Sequence, residues 1–321
     1  MRLSSLLLAT PFLFDAAPAF AQPYPAKPVR ILLSFPPGAV VDTVTRQITT
    51  EMSKNWGQPV VIDNRPGANG ILSADACAKA APDGYTLCLV DRTIPLLPSL
   101  YRKLPFDVER DFFPVTNVMY TVLALVAHPS VGATNFKELL AAAKAKPGVL
   151  NYASLGPATT ANLLMEWLKK EHGLSMTHVP YKTPPALMQA MVSGESHITY
   201  LGLGNFPGFH KAGKLRILGV NGDRRAPLAP DIPTLAEQGL TGIETRVWFG
   251  LFAPAGFPRE AADRVHREIV RVFALPGFRE KHLDATAFDP IASPPDEFAR
   301  FLKADRAAGA ELIRISGAQP D

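Results

Sequence analysis

Ser154 lies in a stretch joining a short apolar run to a helical pattern, the place a hydrolase nucleophile would occupy. Such chemistry needs the strained turn G-x-S-x-G, which pushes the hydroxyl outward. Position 152 is Tyr152, so only Gly156 is present and the elbow is broken. Seven histidines (His128, His172, His178, His197, His210, His266 and His282) are scattered along the chain, and none falls into H-E-x-x-H or another tight ligand spacing. They read as surface or core residues, and no metal or cofactor is expected. Gly202, Gly204 and Gly208 approach a dinucleotide loop, but the spacing is G-x-G-x-x-x-G and Pro207 falls inside it. Nucleophilic, metal and dinucleotide chemistry are therefore all disfavoured.

Two loops of one kind remain. Residues 35–42 and 154–160 each join an expected strand to an expected helix, and both carry glycine. Such loops present unpaired backbone N–H groups and the positive end of a helix dipole. Ser154, Thr159 and Thr160 add hydroxyls. One loop from each half of the protein, facing across a cleft, would clamp the oxygens of a small anion. Glycine loops at these places are also generic to α/β proteins, so the pattern alone leaves anion binding open.

The elements that must position these loops follow from periodicity. A strand is expected over 29–33, then a turn at Phe35-Pro36-Pro37-Gly38, with Asp42 as the N-cap of a helix carrying Val44, Ile48 and Met52 on one face. Further strands are expected at 60–62 and 85–90, separated by a helix ending near Ala80. The alternation restarts after 123–127, with helices over 135–146, 161–171 and 185–193 and strands at 150–153, 176–179, 198–201 and 215–220. Beyond Trp248 the pattern turns mainly helical, and a last helix after Ser293 places Phe298, Leu302, Leu312 and Ile315 on one face. Strands alternating with helices indicate βαβ units and parallel sheets. The expected fold is α/β: two lobes with a ligand cleft between them. Lobe 1 takes residues 22–123 plus 244–321, and lobe 2 takes 124–243.

The bulk numbers restrict the setting. Met1-Arg2, an apolar stretch over 3–14, and Ala19-Phe20-Ala21 fit a secretory signal peptide cleaved after Ala21. The apolar run falls short of the roughly 20 residues a membrane anchor needs. A periplasmic location is expected. The net charge of +4 suits anionic ligands, and the lack of a dense basic run with interleaved aromatics argues against nucleic acid. Cys77 and Cys88 fall among apolar neighbours on a helix and the next strand, which favours two buried thiols over a disulfide.

Blocks along the whole mature chain resemble the Bug family, the extracytoplasmic solute receptors of tripartite tricarboxylate transporters. They include Phe35-Pro36-Pro37-Gly38 with Asp42, Asn64-Arg65-Pro66-Gly67, and Pro82-Asp83-Gly84-Tyr85-Thr86-Leu87. Asn151-Tyr152-Ala153-Ser154, His178-Val179-Pro180-Tyr181-Lys182 and Asp231-Ile232-Pro233-Thr234 follow in order. The resemblance implies the bilobal, type II-like periplasmic binding protein fold and a monomeric, non-enzymatic receptor that closes on a small carboxylate and docks with the membrane subunits of a transporter. It implies ligand contacts at Phe35, Pro37, Gly38, Ala39, Val40, Val41 and Asp42 of the first loop. In the second half it implies Ser154, Gly156, Thr159, Thr160, Tyr181 and Leu201.

The departures from the family pattern cluster at these loops. A second glycine after Gly38 is Ala39, a hydroxyl near Asp42 is valine, and an aspartate at a second-lobe strand end is Leu201. Pro157 removes an N–H from the second loop. Each change removes a polar group or adds apolar bulk, which points to a carboxylate with an apolar or aromatic body. A sensory adaptor using the same fold and a degenerate paralogue that has lost its ligand stay open on sequence alone.

Overall fold

The computed structural model describes residues 24–157, 159–243 and 246–316. The expected leader and its cleavage point, Ala158 and the lobe boundary at 244 lie outside the described residues. In chain order the first half runs β1 (Val29–Leu33), α1 (Val40–Trp56), β2 (Val60–Asn64), α2 (Ile71–Ala78), β3 (Thr86–Asp91), a single helical turn α3 (Thr93–Leu96) and β4 (Phe112–Thr121). After one residue, Val122, come β5 (Leu123–Ala127), α4 (Phe136–Ala145), β6 (Asn151–Ser154), α5 (Thr160–His172), β7 (Thr177–Pro180), α6 (Pro184–Ser193), β8 (Ile198–Gly202), α7 (Pro207–Lys211) and β9 (Arg216–Val220). The chain then returns through β10 (Val247–Pro254), α8 (Arg259–Phe273), β11 (Phe288–Pro290) and α9 (Pro295–Ser316).

These strands form two sheets, ordered β11-β4-β10-β3-β1-β2 and β7-β6-β8-β5-β9. Helices cover both faces of each sheet, and the central strands β3, β5 and β10 are buried nearly throughout. On one face of the first sheet α1 and α8 pack together. The helix α8 buries Ala261, Ala262, Val265, Ile269 and Val272, a spacing of three and four that makes one apolar stripe. Each fully buried valine or isoleucine there contributes about 1.5–3 kcal/mol. The other face is covered by α2 and α9. Gly250 of β10 lets Phe298 of α9 lie directly on the strand, because any Cβ there would overlap the phenyl ring. The second sheet is packed by α4 and α5 on one side and by α6 on the other.

Several expectations need correction. Asp42 is not an N-cap: α1 begins at Val40, and Asp42 is its third residue, accepting the Gly38 N–H at 2.9 Å. A carboxylate in the first turn can reach back to the free N–H groups as a cap would. The stretch beyond Trp248 is mainly helical as expected, through α8 and α9, but it opens on β10, an eight-residue strand in the middle of the first sheet that the sequence reading did not mark. A strand buried on both faces loses the alternation that marks a strand in sequence. Neither sheet is purely parallel: β10 runs antiparallel to β3 and β4, and β5 runs antiparallel to β8 and β9. On α9 it is Ile313 that is buried, and Ile315 is partly exposed.

Cys77 and Cys88 form a disulfide, against the expectation of two thiols. The helix α2 lies on β3 so that the two Cα atoms are 6.0 Å apart, within bridging range. Apolar surroundings suit a bridge as well as a thiol, and the sequence does not show which side of α2 faces β3. The bridge closes a short loop, so replacing both cysteines with alanine should cost about 2–3 kcal/mol. Urea unfolding of the double variant checks this, and an unchanged midpoint would contradict it.

Candidate ligand-binding site

Between the two sheets lies a cavity of about 260 Å³. Its floor includes the crossing strands at Thr121, Leu123 and Val247, where the chain passes from one sheet to the other. From the second sheet come Ser154 and Leu155, the start of α5 at Thr159–Ala161, and Thr199, Tyr200 and Leu201 of β8. From the first sheet come Asp91, Arg92, Thr93 and Leu96, at the carboxyl end of β3. Ligands of open α/β sheets sit beyond such strand ends.

The second-half loop is held in place by a chain of polar contacts. The Ser154 Oγ lies 2.6 Å from Nε2 of His178 and accepts the Gly156 N–H at 3.0 Å. The His178 ring stacks on Tyr152 with centroids 4.8 Å apart. Tyr152 donates to Glu166 at 2.5 Å and accepts from Asn162 at 2.8 Å, and Glu166 pairs with Lys169. Burial and the Glu166 carboxylate push the Tyr152 phenol well above its usual range, so it stays protonated as a donor. The Tyr181 N–H is tied to the Ser154 carbonyl at 2.8 Å, and its hydroxyl reaches Ser196.

The N-terminus of α5 meets the cavity uncapped by any side chain. The Thr159 hydroxyl, which could have capped it, donates instead to the Gly156 carbonyl at 2.8 Å. The first N–H groups of the helix have no partner within it and carry the positive end of its dipole. This geometry accepts an anionic oxygen. At α1 the same position is filled from within. The Asp42 carboxylate takes the Gly38 N–H, the Arg46 guanidinium at 3.0 Å and the Asn64 amide at 2.9 Å. Burial alone would raise the pKa of Asp42, but these hydrogen bonds outweigh it and hold the carboxyl below its ordinary value.

Of the residues expected at the site, Ser154, Thr159, Thr160 and Leu201 line the cavity together. Gly156 and Tyr181 support Ser154 from behind. Phe35, Pro37, Gly38, Ala39, Val40, Val41 and Asp42 do not line it. Val41 and Asp42 are buried, Phe35 packs edge-on to Phe249, and Pro37, Gly38 and Val40 are exposed. The first sheet reaches the cavity through the turn after β3 instead. Asp91, Arg92 and Thr93 were missed, although a charged pair directly after the apolar run 87–90 was visible in the sequence.

Arg92 does not present its charge to the cavity. Its side chain is 4% exposed and pairs at 2.9 Å with Asp305 of α9, which also accepts the Trp248 indole N–H at 2.9 Å. Asp91 accepts the Thr93 N–H at 2.9 Å, and burial raises its pKa above the ordinary carboxylate value despite that bond. An arginine-bearing cleft of about 480 Å³ lies on the far side of Thr121. Its guanidiniums are committed there, Arg224 to Asp289 at 2.6 Å and Arg225 to Glu237 at 3.1 Å.

Ser154 beside a histidine invites comparison with a hydrolase, and the geometry argues against it. The Gly156 N–H, which would serve an oxyanion, is taken by Ser154 itself. Among the described residues no carboxylate is hydrogen-bonded to the other ring nitrogen of His178.

A two-sheet α/β protein with a small cavity between its sheets and an open helix N-terminus facing it belongs to the class of solute-binding receptors. Residues 44–317 match the tripartite tricarboxylate transporter family receptor, and the chain belongs to that family. It is 32% identical over 309 residues to a UPF0065 protein of Bordetella pertussis, covering 96% of this chain and 95% of that protein. It is 31% identical over 309 residues to protein BugT of the same organism, covering 95% and 94%. The structure of the R. palustris protein Rpa4515 with adipate superposes with a TM-score of 0.82 at 28% identity, covering 93% of this chain and 100% of that one. The Bug resemblance and the two-lobed binding-protein fold are thus shown, and the family is one of receptors, not enzymes.

Burial lowers the pKa of His178 below the ordinary 6.5, and the Lys169 charge adds to this against the opposing Glu166. As pH falls, the unfolded chain takes up this proton first, so stability is full above about pH 6.5 and declines below it. His197 and His282 are depressed by burial in the same direction and share in the decline. His178→Gln should therefore lose less stability than the parent between about pH 7 and pH 5. Thermal melts across that range check this, and identical slopes would contradict it.

Proposed function

We propose that the chain is exported to the periplasm and there captures a small carboxylate with an apolar body for delivery to the membrane subunits of a tripartite transporter. The observation that carries this reading is the uncapped N-terminus of α5 facing a cavity with hydroxyls at one end and leucine and valine side chains elsewhere. The α5 amides take the carboxylate on a loop that the Ser154 hydroxyl braces, while Leu96, Leu163, Leu187 and Leu201 enclose the rest. Capture of adipate by a family relative of the same fold supports a carboxylate as the ligand. No helix among the described residues is long and apolar enough to cross a membrane, which is compatible with capture outside the bilayer.

The lobes taken here are residues 22–123 with 244–321 and residues 124–243, acting as a monomer. Their closure about the crossing at Val122 and the return before Val247 would be the state the membrane subunits read. Loop residues 35–42 would then serve as part of the closing edge.

A thermal-shift screen of the mature protein against aliphatic, aromatic, amino and polycarboxylic acids tests this reading. At least one carboxylate should raise the melting point by mass action. Ser154→Ala should weaken that ligand about tenfold, the equivalent of one hydrogen bond. A complete absence of shifts would sink the receptor reading.

A further inference from the structure

The cavity between the sheets has one feature that a general carboxylate site does not need. Asp91 stands on its wall at the end of β3, and its carboxyl meets only uncharged donors, the amide and hydroxyl of Thr93 and its own amide. No ion pair involves it among the described residues, and its cross-strand neighbour is the apolar Phe249. The adjacent cation, Arg92, is turned away and held by Asp305. The remaining walls supply hydroxyls, from Thr121, Thr160 and Thr199, and apolar side chains.

Counted by charge, Arg92 and Asp305 cancel, and Asp91 is left as the one uncompensated ionisable group on the cavity wall among the described residues. A carboxylate in that position repels a second anionic group of a ligand, and removal from water without a partner disfavours it. Both penalties vanish if the ligand itself brings a positive charge. The two poles of the site are then separate: the α5 amides for the anion, the β3 turn for the cation.

We propose that Asp91 is the specificity-determining residue of this cavity, selecting a carboxylate that also carries a protonated nitrogen over simple monocarboxylates and dianions. The inference rests on the receptor reading above and names the ligand class of the same site. An amino acid with an apolar side chain matches all three surfaces: carboxylate to α5, ammonium to Asp91, side chain to the leucines. A ligand bearing two or three carboxylates would place one of them against Asp91.

Calorimetric titration of the mature protein with matched pairs tests this: phenylalanine against phenylpropionate and leucine against isocaproate, with adipate as the dianion. At neutral pH the amino member of at least one pair should bind about tenfold or more tightly than its partner, with adipate weaker than either. Asp91→Asn should cut that preference about tenfold, by weakening the amino member of the pair relative to its deamino partner. The wild-type ratios decide the matter even if the variant fails to fold. Equal affinities within every pair, tighter binding of adipate, or an unchanged preference in Asp91→Asn would overturn the inference and leave the receptor reading standing. No binding by any of these acids would overturn both.

Discussion

The buried ion pair of Arg92 with Asp305 holds the site together from one side. Both side chains are nearly inaccessible, at 4% and 2% exposed, and the Trp248 indole completes the carboxylate's hydrogen bonds. A pair this deep adds little net stability over an apolar replacement, yet breaking it by removing one partner costs about 3–5 kcal/mol. Its consequence is positional. It pins the turn after β3 to α9 and to the strand β10 that returns from the second half. Through Leu96, Leu312 and Ile313 the same region touches Leu163 of α5, so the two walls of the cavity meet across a small apolar contact.

That arrangement decides what the cavity can hold. With Arg92 turned inward toward Asp305, attraction for an anion falls to backbone amides and hydroxyls on the opposite wall. Such groups have fixed directions and no side-chain charge to screen, and they are braced by the run from Ser154 through His178, Tyr152 and Glu166. The wall opposite Arg92 thus presents preorganised dipoles, and the leucine side chains around it present apolar surface.

Much of this was legible in the sequence, and the failures have physical causes. The alternation of strands and helices located most elements, because amphipathic helices such as α8 and tight turns such as Pro82-Asp83-Gly84 leave clear periodic marks. The strand β10 did not, since Trp248, Phe249, Leu251 and Phe252 are buried on both faces and show no alternation. The Cys77–Cys88 bridge depends on which side of α2 faces β3, a tertiary fact. Ser154, Thr159 and Thr160, singled out by their loop chemistry, line the cavity between the sheets. Asp91 and Arg92 were passed over because a charged pair at a strand end usually marks a solvated turn. Only the packing of α9 shows that Arg92 is buried and that Asp91 stands at the cavity. Asp42, with its place near a helix start, was legible as important but not as an internal anchor that occupies the α1 terminus itself.

The most direct test of the account is a crystal structure of the mature protein with a carboxylate that binds it. The account predicts density for the ligand between the two sheets, its carboxylate on the first N–H groups of α5 near Ser154 and its body against Leu96 and Leu201. A ligand seated elsewhere, in the cleft beside Arg224 and Arg225 or on the exposed loop at Gly38, would contradict it.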